Sequence, residues 1–441
     1  MLSWIGLIGG LALLIWMTVR GIDILIAGPV AAFVVAVTAG LPLLPPLAGL
    51  LPGGEAAPDF ASSYMAGFAS FLADWFFMFL LGAIFGEVMA ASGAATSVAR
   101  AITRRLGSRY ALAATVLACA VLTYGGVSVF IVAFAVYGLA VELFREADLP
   151  RRFIPGALAF GSVTFTMTSA GSPEIQNLIP MPFLGTNAYA GWQVSIVVAA
   201  FMAVLGYAWI ARMVRHAVAG GERFVTRATD ADFAVDTRLP SPWMAMLPLV
   251  GVLGVFLLTQ DLGKWALVAA LLTGVALACM VGWAQRGEFA AVFSRGATGA
   301  VVAITNTCAV VGFGSVAKLS PAFADALAAV QDIPGSPLIG AAVAVTVIAG
   351  LTGSASGGQT IALPLIAPHY LAAGADPAEL HRTVAIASGA LDSLPHNGYV
   401  VTTIRAVCGE THASAYAAVG ATTVVVPVLG TILALVLFTL F

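Results

Sequence analysis

The sequence predicts an all-α polytopic membrane protein built from two inverted repeats that contain broken helices. Of its 441 residues, 60% are apolar and only 9% are charged, whereas an ordinary soluble domain has about 25% charged residues. The apolar residues come in blocks of about twenty, the length of a helix that crosses the hydrocarbon layer of a bilayer. Polar, glycine-containing breaks interrupt these blocks in the same order in both halves of the chain.

The apolar blocks predict the membrane spans, several of which are short or interrupted. The first block has no basic residue before it and its first charge, Arg20, after it. This order is the reverse of that in a cleavable signal peptide, so we expect the block to be retained as a span. The predicted spans are residues 2–19, 22–40, 64–91, 110–123, 127–144, 153–170, 190–210, 242–259, 265–284, 297–313, 337–352, 361–372, 383–407 and 416–440.

The basic residues predict how the chain is oriented in a bacterial inner membrane. Fifteen of the 19 Lys and Arg residues lie at position 20 and in segments 100–109, 145–152, 212–238 and 286–295. Because cytoplasmic loops are enriched in Lys and Arg, we expect these segments to be cytoplasmic and the N-terminus to lie outside. The segments that alternate with them hold only Lys264, Lys318 and Arg382.

The longest polar segment divides the chain nearly in half. We predict a first membrane repeat at 1–211, a cytoplasmic linker at 212–241 and a second membrane repeat at 242–441. Each repeat has a small-residue break, an apolar run, a loop with an Ala-Asp pair, another apolar run and a break with Pro and Asn. The basic residues place the first such loop inside and the second outside, which predicts halves of opposite orientation, as in inverted-repeat transporters.

The breaks are where we expect the functional site. Non-helical backbone at membrane depth survives only where protein, water or a ligand satisfies its N–H and C=O groups. Helix N-termini after the breaks would present N–H groups to an anion, so a carboxylate can be held without a buried arginine. Helix packing and helix kinking are the alternative interpretations of the glycine-rich breaks. The predicted substrate-binding residues are Gly125, Gly126, Ser128, Ser172, Gln176, Asn177, Ser354, Ser356, Gly357, Gly358, Gln359, Thr360, Ser393 and Asn397.

Three titratable residues in these breaks are the candidates for ion coupling. Asp392 and His396 lie four residues apart in an apolar region, and such residues inside a membrane are functional candidates by default. Histidine changes charge near neutral pH, and a neighbouring carboxylate sets its affinity for protons. The alternative is an Asp–His hydrogen bond that braces a broken helix. Glu174 lies in the corresponding region of the first half.

Other polar residues receive structural interpretations. Asp74 and Glu87 lie in a long span away from any break, and we expect them to pair within the scaffold or between subunits. The other histidines lie near predicted span ends, where we expect the membrane interface: His216, His369, His381 and His412.

No catalytic or metal-binding motif is present in the sequence. The four cysteines are isolated, without a C-x-x-C spacing, so neither disulfides nor zinc are indicated. The H-E-x-x-H and G-x-S-x-G patterns of metalloproteases and hydrolases do not occur. We therefore expect no enzyme activity, no cofactor, no metal and no nucleic-acid partner.

The breaks resemble those of the gluconate:proton symporter (GntP-type) permeases along nearly the whole chain, from about Trp4 to Phe441. The resemblance is carried by GGVSVFIVAFAVY, READLPRRFIPGALAFGSVTFTMTSAGSPEIQNLIP, GSASGGQTIALP and HRTVAIASGALDSLPHNGYVVTT. It is closest to the branch with an LDSLPHNG motif, whose members are described as permeases for hydroxybutyrate and related short carboxylates. Classical gluconate permeases differ at that motif, which shifts the expected substrate from gluconate to a hydroxylated or short-chain monocarboxylate.

The resemblance implies a re-entrant hairpin in each repeat, a homodimer and an elevator-type motion. The hairpin tips would lie at residues 125–128 and 353–360, and the unwound helices facing them would be residues 172–177 and 392–397. In the first of these this chain has Ser172 and Glu174, where relatives favour Thr and Gln.

The resulting hypothesis is a secondary transporter that couples a small hydroxy- or short-chain carboxylate, such as 3-hydroxybutyrate or gluconate, to protons. An anion that enters against a negative-inside potential costs about 2.3 kcal/mol per charge per 100 mV, and one co-transported proton cancels this cost. Two alternatives stay open. Sodium can replace the proton, or the chain can be a cation/proton antiporter that uses Asp392 and Glu174 and has no organic substrate.

Overall fold

The computed structural model describes residues 1–20, 22–45, 58–227, 239–331, 333 and 336–440, and within these ranges it contains helices and loops but no strand. The predicted all-α class is therefore confirmed. The helices are α1 Leu2–Val19, α2 Ile24–Ala39, α3 Phe60–Ala91, α4 Ala94–Leu106, α5 Ala111–Tyr124, α6 Val129–Glu146, α7 Ile154–Ala159, α8 Met181–Leu184, α9 Trp192–Ala219, α10 Pro242–Leu258, α11 Lys264–Val281, α12 Phe289–Ala317, α13 Pro321–Gln331, α14 Pro337–Thr352, α15 Ala355–Ala372, α16 Pro377–Ser388, α17 Gly398–Val401, α18 His412–Gly420 and α19 Val426–Leu440.

Several of these helices are long and apolar enough to cross a membrane. In the described part of the chain five helical stretches meet that length and composition, and the pair Ala94–Leu106 and Ser108–Tyr124, bent by 103°, makes a sixth if it is one span. Shorter apolar helices lie at Leu2–Thr18, Ile24–Ala39, Pro242–Leu258 and Pro337–Gly350. The five stretches are Phe60–Ala91, Trp192–Ala219, Lys264–Val281, Trp283–Ala317 and His412–Leu440.

Three helices of the described residues lie outside the predicted spans, namely α4, α13 and the four-residue α8. Helix α4 carries Arg104 and Arg105 in its last turn, where cations complement the helix dipole, and it has a strongly one-sided distribution of apolar residues. Helix α4 therefore forms no continuous apolar block. Helix α13 is short, and it lies in a segment that the distribution of charges predicted to be a loop. Helix α9 continues to Ala219, into the predicted linker, whose acidic part at 228–238 lies outside the described residues.

We call the scaffold the set of helices α1, α2, α3, α10, α11 and α12, which pack on one another. Helix α3 packs along α12 and against α11, and α2 packs on both α1 and α12. The Tyr64 hydroxyl of α3 donates to the Ala309 carbonyl of α12 at 3.0 Å. Asp74 and Glu87 form ion pairs with basic residues of the scaffold helices. Pairing within the scaffold is one of the two arrangements that the sequence predicted for them. Lys264 Nζ lies 2.7 Å from Asp74, and Arg295 Nε lies 3.3 Å from Glu87.

The breaks lie in the other part of the molecule, which contains two helical hairpins. Helices α5 and α6 form the first hairpin, and α14 and α15 form the second. The second helix of each hairpin packs against the broken region of the other half. Helix α6 contacts the π-helical segment Thr402–Val407, and α15 contacts the short helix Ile175–Asn177. This crossed packing brings the breaks of both halves together.

The segment that follows α9 also joins the two halves. Arg152 donates hydrogen bonds of 2.7 and 2.8 Å to the Glu222 carboxylate, and these bonds lower the pKa of Glu222. Arg227 donates to the carbonyl oxygens of Cys408 and Gly409, each at 3.0 Å. Residues 222–227 therefore hold a loop of the first half beside a loop of the second.

Candidate functional site

In the second half the hairpin tip and the broken helix are in direct contact. Helix α14 ends at Gly353 in a left-handed conformation, with φ of +61°. The Asn397 amide donates to the Gly353 carbonyl at 2.9 Å. A Cβ atom at Gly353 would lie 2.8 Å from Cδ2 of His396, so the imidazole rests against the bare glycine backbone. We call residues 353–360 the second tip and 392–397 the second broken segment.

Within the second tip the small residues have different roles. Ser354 caps α15, because its hydroxyl accepts a hydrogen bond from the Gly357 N–H at 3.1 Å. The Ser356 hydroxyl lies 3.3 Å from that of Ser354, and Thr360 donates to the Ser356 carbonyl at 2.8 Å. A Cβ at Gly358 would lie 2.6 Å from Cα of Ala349, so this glycine is required for close helix packing. The packing interpretation therefore applies to Gly358, while Ser354 is half-buried at the tip and Ser356 is buried behind it.

Both broken segments are braced in the same way by an asparagine. The Asn177 amide donates to the Ser172 carbonyl at 2.9 Å, and the Asn397 amide donates to the Asp392 carbonyl at 3.0 Å. Each bond spans five residues, and each amide also donates to a second carbonyl, that of Ala188 or of Gly353. Residues 172–177, the first broken segment, are thus the structural counterpart of 392–397.

The two halves meet at Gln359 of α15. Its amide donates to the backbone carbonyl of Gln176 at 3.0 Å and to the hydroxyl of Ser388 at 2.7 Å. The side-chain amide oxygens of Gln176, Asn177 and Gln359 have no hydrogen-bond partner among the described residues, and Asn177 and Gln359 are fully buried. The site therefore contains amide oxygens that can accept hydrogen bonds from a ligand or coordinate a cation.

The first tip, residues 125–128, contacts both the first broken segment and the scaffold. Gly126 has φ of +89°, and a Cβ there would lie 3.1 Å from Val252 and 3.7 Å from Pro173. The Tyr124 hydroxyl donates to the Ala170 carbonyl at 2.7 Å, just before the broken segment. A Cβ at Gly125 would lie 2.8 Å from Leu249, so the close-crossing interpretation fits this glycine. Ser128 precedes α6 without capping it by its side chain.

The second half contributes a fully buried arginine that the sequence placed in an outside loop. Arg382 of α16 donates to the carbonyl oxygens of Thr168, Ala188 and Ala190 at 2.7, 3.1 and 2.9 Å. Its guanidinium satisfies unwound backbone of the first half, which has no helical partners of its own. Asp376 caps α16 and Pro377 begins it, and this helix-start signal could have placed Arg382 inside a helix.

His381, which the sequence placed at the membrane interface without a partner pattern, has two hydrogen-bonding partners. This residue precedes Arg382 and is fully buried. Its Nδ1 lies 2.6 Å from the Thr186 hydroxyl, and its Nε2 lies 3.1 Å from the Asn177 carbonyl. His381 and Arg382 together hold residues 168–190 in place from the opposite half of the chain.

The two carboxyl groups of the breaks differ in their surroundings. Asp392 is buried, and its carboxylate accepts a hydrogen bond of 2.9 Å from the Ser393 hydroxyl. Glu174 is half-buried, and its backbone N–H donates to the Ser172 hydroxyl at 3.3 Å. In the described part of the chain no Lys or Arg nitrogen lies within 4.0 Å of either carboxylate. Among the same residues, no three His, Cys, Asp or Glu side chains are arranged to hold a metal ion.

Comparisons with known proteins agree on one class of protein. No family model matches the chain. It is 34% identical, over 460 aligned positions covering 94% of each chain, to a Bacillus subtilis protein named uncharacterized transporter YxjC. Its fold is similar to that of the Alcanivorax borkumensis YdaH transporter, whose crystal structure is described as having an unusual topology. The TM-score is 0.56 and the identity 14%, over 97% of this chain and 98% of the other.

Proposed function

The chain belongs to the transporter family of Bacillus subtilis YxjC, and we propose that it is a secondary active transporter that carries a small organic anion together with a proton. The observation that carries this proposal is the meeting of two broken helices and a hairpin tip at Gln359, Gln176 and Asn397. Broken helices between repeats are the usual construction of substrate sites in secondary transporters.

The charges and hydrogen-bonding groups around the site favour a hydroxylated carboxylate. Arg382 is a buried positive charge that donates to three backbone carbonyls, so an anion nearby is attracted strongly in this low-dielectric region. The N–H groups at the start of α6 and α15 are donors for a carboxylate. The unpartnered amide oxygens of Gln176, Asn177 and Gln359 match the hydroxyl groups of the substrate. The resemblance to GntP-type permeases supports the same substrate class.

Proton coupling is proposed for Asp392, with His396 and Glu174 as further candidates. A buried carboxylate with no Lys or Arg nitrogen within 4.0 Å among the described residues favours a compensating positive charge, which a proton or a bound cation supplies. A proton also offsets the cost of moving the anion inward. Sodium coupling remains the alternative, because amide oxygens suit Na⁺ equally well.

The architecture proposed with this function follows the loop charges and the family resemblance. Repeats 1–211 and 242–441 would be inverted around the linker 212–241, in a homodimer of a bacterial inner membrane with the N-terminus outside. The hairpins would move in an elevator-type cycle, opening at their tips. In the structure the second tip is closed on His396 and Asn397.

The test is uptake of radiolabelled D-3-hydroxybutyrate, gluconate and citrate into proteoliposomes that contain the purified protein. Accumulation of one acid driven by an inward pH gradient supports proton symport. Accumulation of one acid driven only by an inward Na⁺ gradient would identify Na⁺ as the coupling ion. Absence of acid uptake together with cation-dependent proton release would contradict symport and favour the antiporter.

We expect Asp392→Asn to abolish acid-stimulated accumulation, because the amide cannot carry the proton that compensates the anion. Counterflow of labelled for unlabelled acid, which needs no net proton movement, should continue at half the wild-type rate or more. Ser393→Ala is the matched control, since it removes the hydroxyl bonded to Asp392 but keeps the carboxyl group. An unchanged pH dependence in Asp392→Asn would remove this residue from the coupling.

We expect Gly353→Ala to reduce uptake at least tenfold, because a Cβ at this tip meets the His396 ring at 2.8 Å. An alanine at positive φ also costs about 1 kcal/mol of stability. Gly374→Ala is the matched control, since Gly374 has φ of +86° but nothing within 4 Å of its Cβ position. The measurement is initial uptake rate together with thermal unfolding. Equal uptake in the two variants would contradict the tip assignment.

A further inference from the structure

Helix α18 contacts the second broken segment through two side chains. The Tyr416 hydroxyl donates to the Ser393 carbonyl at 3.2 Å, and His412 Nε2 lies 3.1 Å from the Pro395 carbonyl oxygen. Because a carbonyl oxygen only accepts hydrogen bonds, this ring nitrogen carries the hydrogen. The two residues are four apart and therefore share one face of the helix, with their rings stacked at 6.1 Å between centroids.

These two bonds complete the hydrogen bonding of the second broken segment. The segment consists of turns and bends, and such backbone must find its partners outside a helical ladder. The Asn397 amide donates to the Asp392 carbonyl, and the Asn397 backbone N–H donates to the Leu394 carbonyl at 2.8 Å. With the two side chains of α18, these donors satisfy four consecutive carbonyls. Helix α18 therefore helps to fix the backbone that carries the Asp392 carboxyl group.

The first broken segment is held in a different way. Its carbonyls at positions 176 and 177 are bound by Gln359 and His381, which are fully buried and come from the opposite half. His412 and Tyr416 are only half-buried and come from the same half as the segment that they hold. The brace of the second broken segment thus extends toward the surface of the protein.

The start of α18 is in turn fixed by the segment that follows α9. Arg227 forms an ion pair with Glu410, whose side chain is only 8% exposed. The other oxygen of this carboxylate accepts a hydrogen bond of 3.0 Å from the Ser414 hydroxyl. Ser414 also belongs to the capping box that begins α18. A continuous series of polar contacts therefore runs from Arg227 through α18 to the backbone beside Asp392.

We propose that His412 and Tyr416 are positioning residues for the second broken segment, and that Arg227 acts on this segment through the start of α18. All three act on the site through its backbone. The consequence for transport rests on the proposed function, in which Asp392 carries the coupled proton. The effect on the backbone itself is expected in the protein at rest, without any transported acid.

The experiment is hydrogen–deuterium exchange of the purified full-length protein, followed by mass spectrometry of peptides that cover residues 389–400 and 168–178. His412→Phe and Tyr416→Phe each remove one hydrogen bond and keep an aromatic ring. We expect exchange in 389–400 to rise about fivefold, because one lost bond makes local opening easier by about 1 kcal/mol. Exchange in 168–178 should stay at the wild-type rate.

Two control variants match these substitutions. In His412→Gln the side-chain amide can still donate to the Pro395 carbonyl, so exchange in 389–400 should return to within twofold of the wild type. Tyr124→Phe removes a bond of the same kind in the first half, where the Tyr124 hydroxyl donates to the Ala170 carbonyl at 2.7 Å. It should raise exchange in 168–178 and leave 389–400 unchanged.

Arg227→Gln tests the contact between α18 and the segment after α9. This variant loses the ion pair with Glu410, so exchange in 389–400 should rise although residue 227 lies outside the broken segment. Arg223→Gln is the matched control, because Arg223 pairs with Asp148 of the first half at 3.2 Å. It should leave exchange in both peptides unchanged.

The outcomes separate this proposal from the proposed function. Once an acid is identified, its initial uptake should fall at least fivefold in His412→Phe and recover in His412→Gln. Unchanged exchange in 389–400 in folded His412→Phe and Tyr416→Phe proteins would overturn the proposal. A rise in these two variants but not in Arg227→Gln would overturn the role of Arg227. No acid uptake by the wild type would contradict only the proposed function, because exchange is measured without acid.

Discussion

Replacing Arg382 with glutamine is expected to reduce uptake at least a hundredfold and to destabilise the protein. The arginine donates to three carbonyl oxygens of unwound backbone at 2.7–3.1 Å, and glutamine cannot reach all three. The Ala188 carbonyl keeps the Asn177 amide as a donor, but each buried acceptor that is left without a donor costs about 1–3 kcal/mol. The substitution also removes the buried positive charge that we propose attracts the anion. The measurement is initial uptake rate combined with thermal unfolding of the purified protein.

Two further variants separate charge from geometry at this position. Arg382→Lys retains the positive charge without the planar fork of donors, so we expect intermediate stability and weaker but measurable uptake. Arg215→Gln is the control, because Arg215 is exposed and donates to the Ala211 carbonyl of its own helix. Normal uptake by a folded Arg382→Gln protein would show that neither the charge nor the bonds of this arginine are needed.

Replacing the bracing asparagines with aspartate is expected to have the second largest effect. In Asn177→Asp a carboxylate oxygen would face the carbonyls of Ser172 and Ala188, which now accept hydrogen bonds at 2.9 and 3.0 Å. Asn397→Asp would do the same to the carbonyls of Asp392 and Gly353. In each variant two hydrogen bonds are replaced by two repulsive oxygen–oxygen contacts. The initial rate of uptake should therefore fall at least a hundredfold.

The control for these variants is Asn187→Asp. The Asn187 side chain accepts a hydrogen bond from the Tyr189 N–H at 2.9 Å, and a carboxylate accepts equally well, so uptake should change by less than twofold. Because the two braces have the same geometry, the losses at positions 177 and 397 should be similar. A large loss at only one of them would contradict an equivalent role for the two broken segments.

The fold class and the position of the breaks could be predicted because they depend on local composition. A run of about twenty apolar residues has few stable forms other than a membrane helix, and α3, α9 and α11 lie where such runs predict them. The amphipathic helix α4 was missed because its apolar residues form a stripe and not a block.

Spacing within the breaks also indicated which residues matter, but not what each one does. Gly353 and Gly358 look equivalent in the sequence, yet one meets the His396 ring and the other the backbone of α14. Asn177 and Asn397 were identified as polar residues of two breaks, and the structure shows that each closes a five-residue turn.

The sequence by itself thus determined that the chain is a helical membrane protein with polar breaks, and it predicted that the two halves are related. Only the tertiary structure decided that Gln359 joins the second tip to the first broken segment and that His381 and Arg382 hold that segment from the opposite half. The reason is that unwound backbone must find its hydrogen-bond partners in three dimensions. Those partners lie about two hundred residues away in the chain, so a local sequence pattern does not predict the pairing.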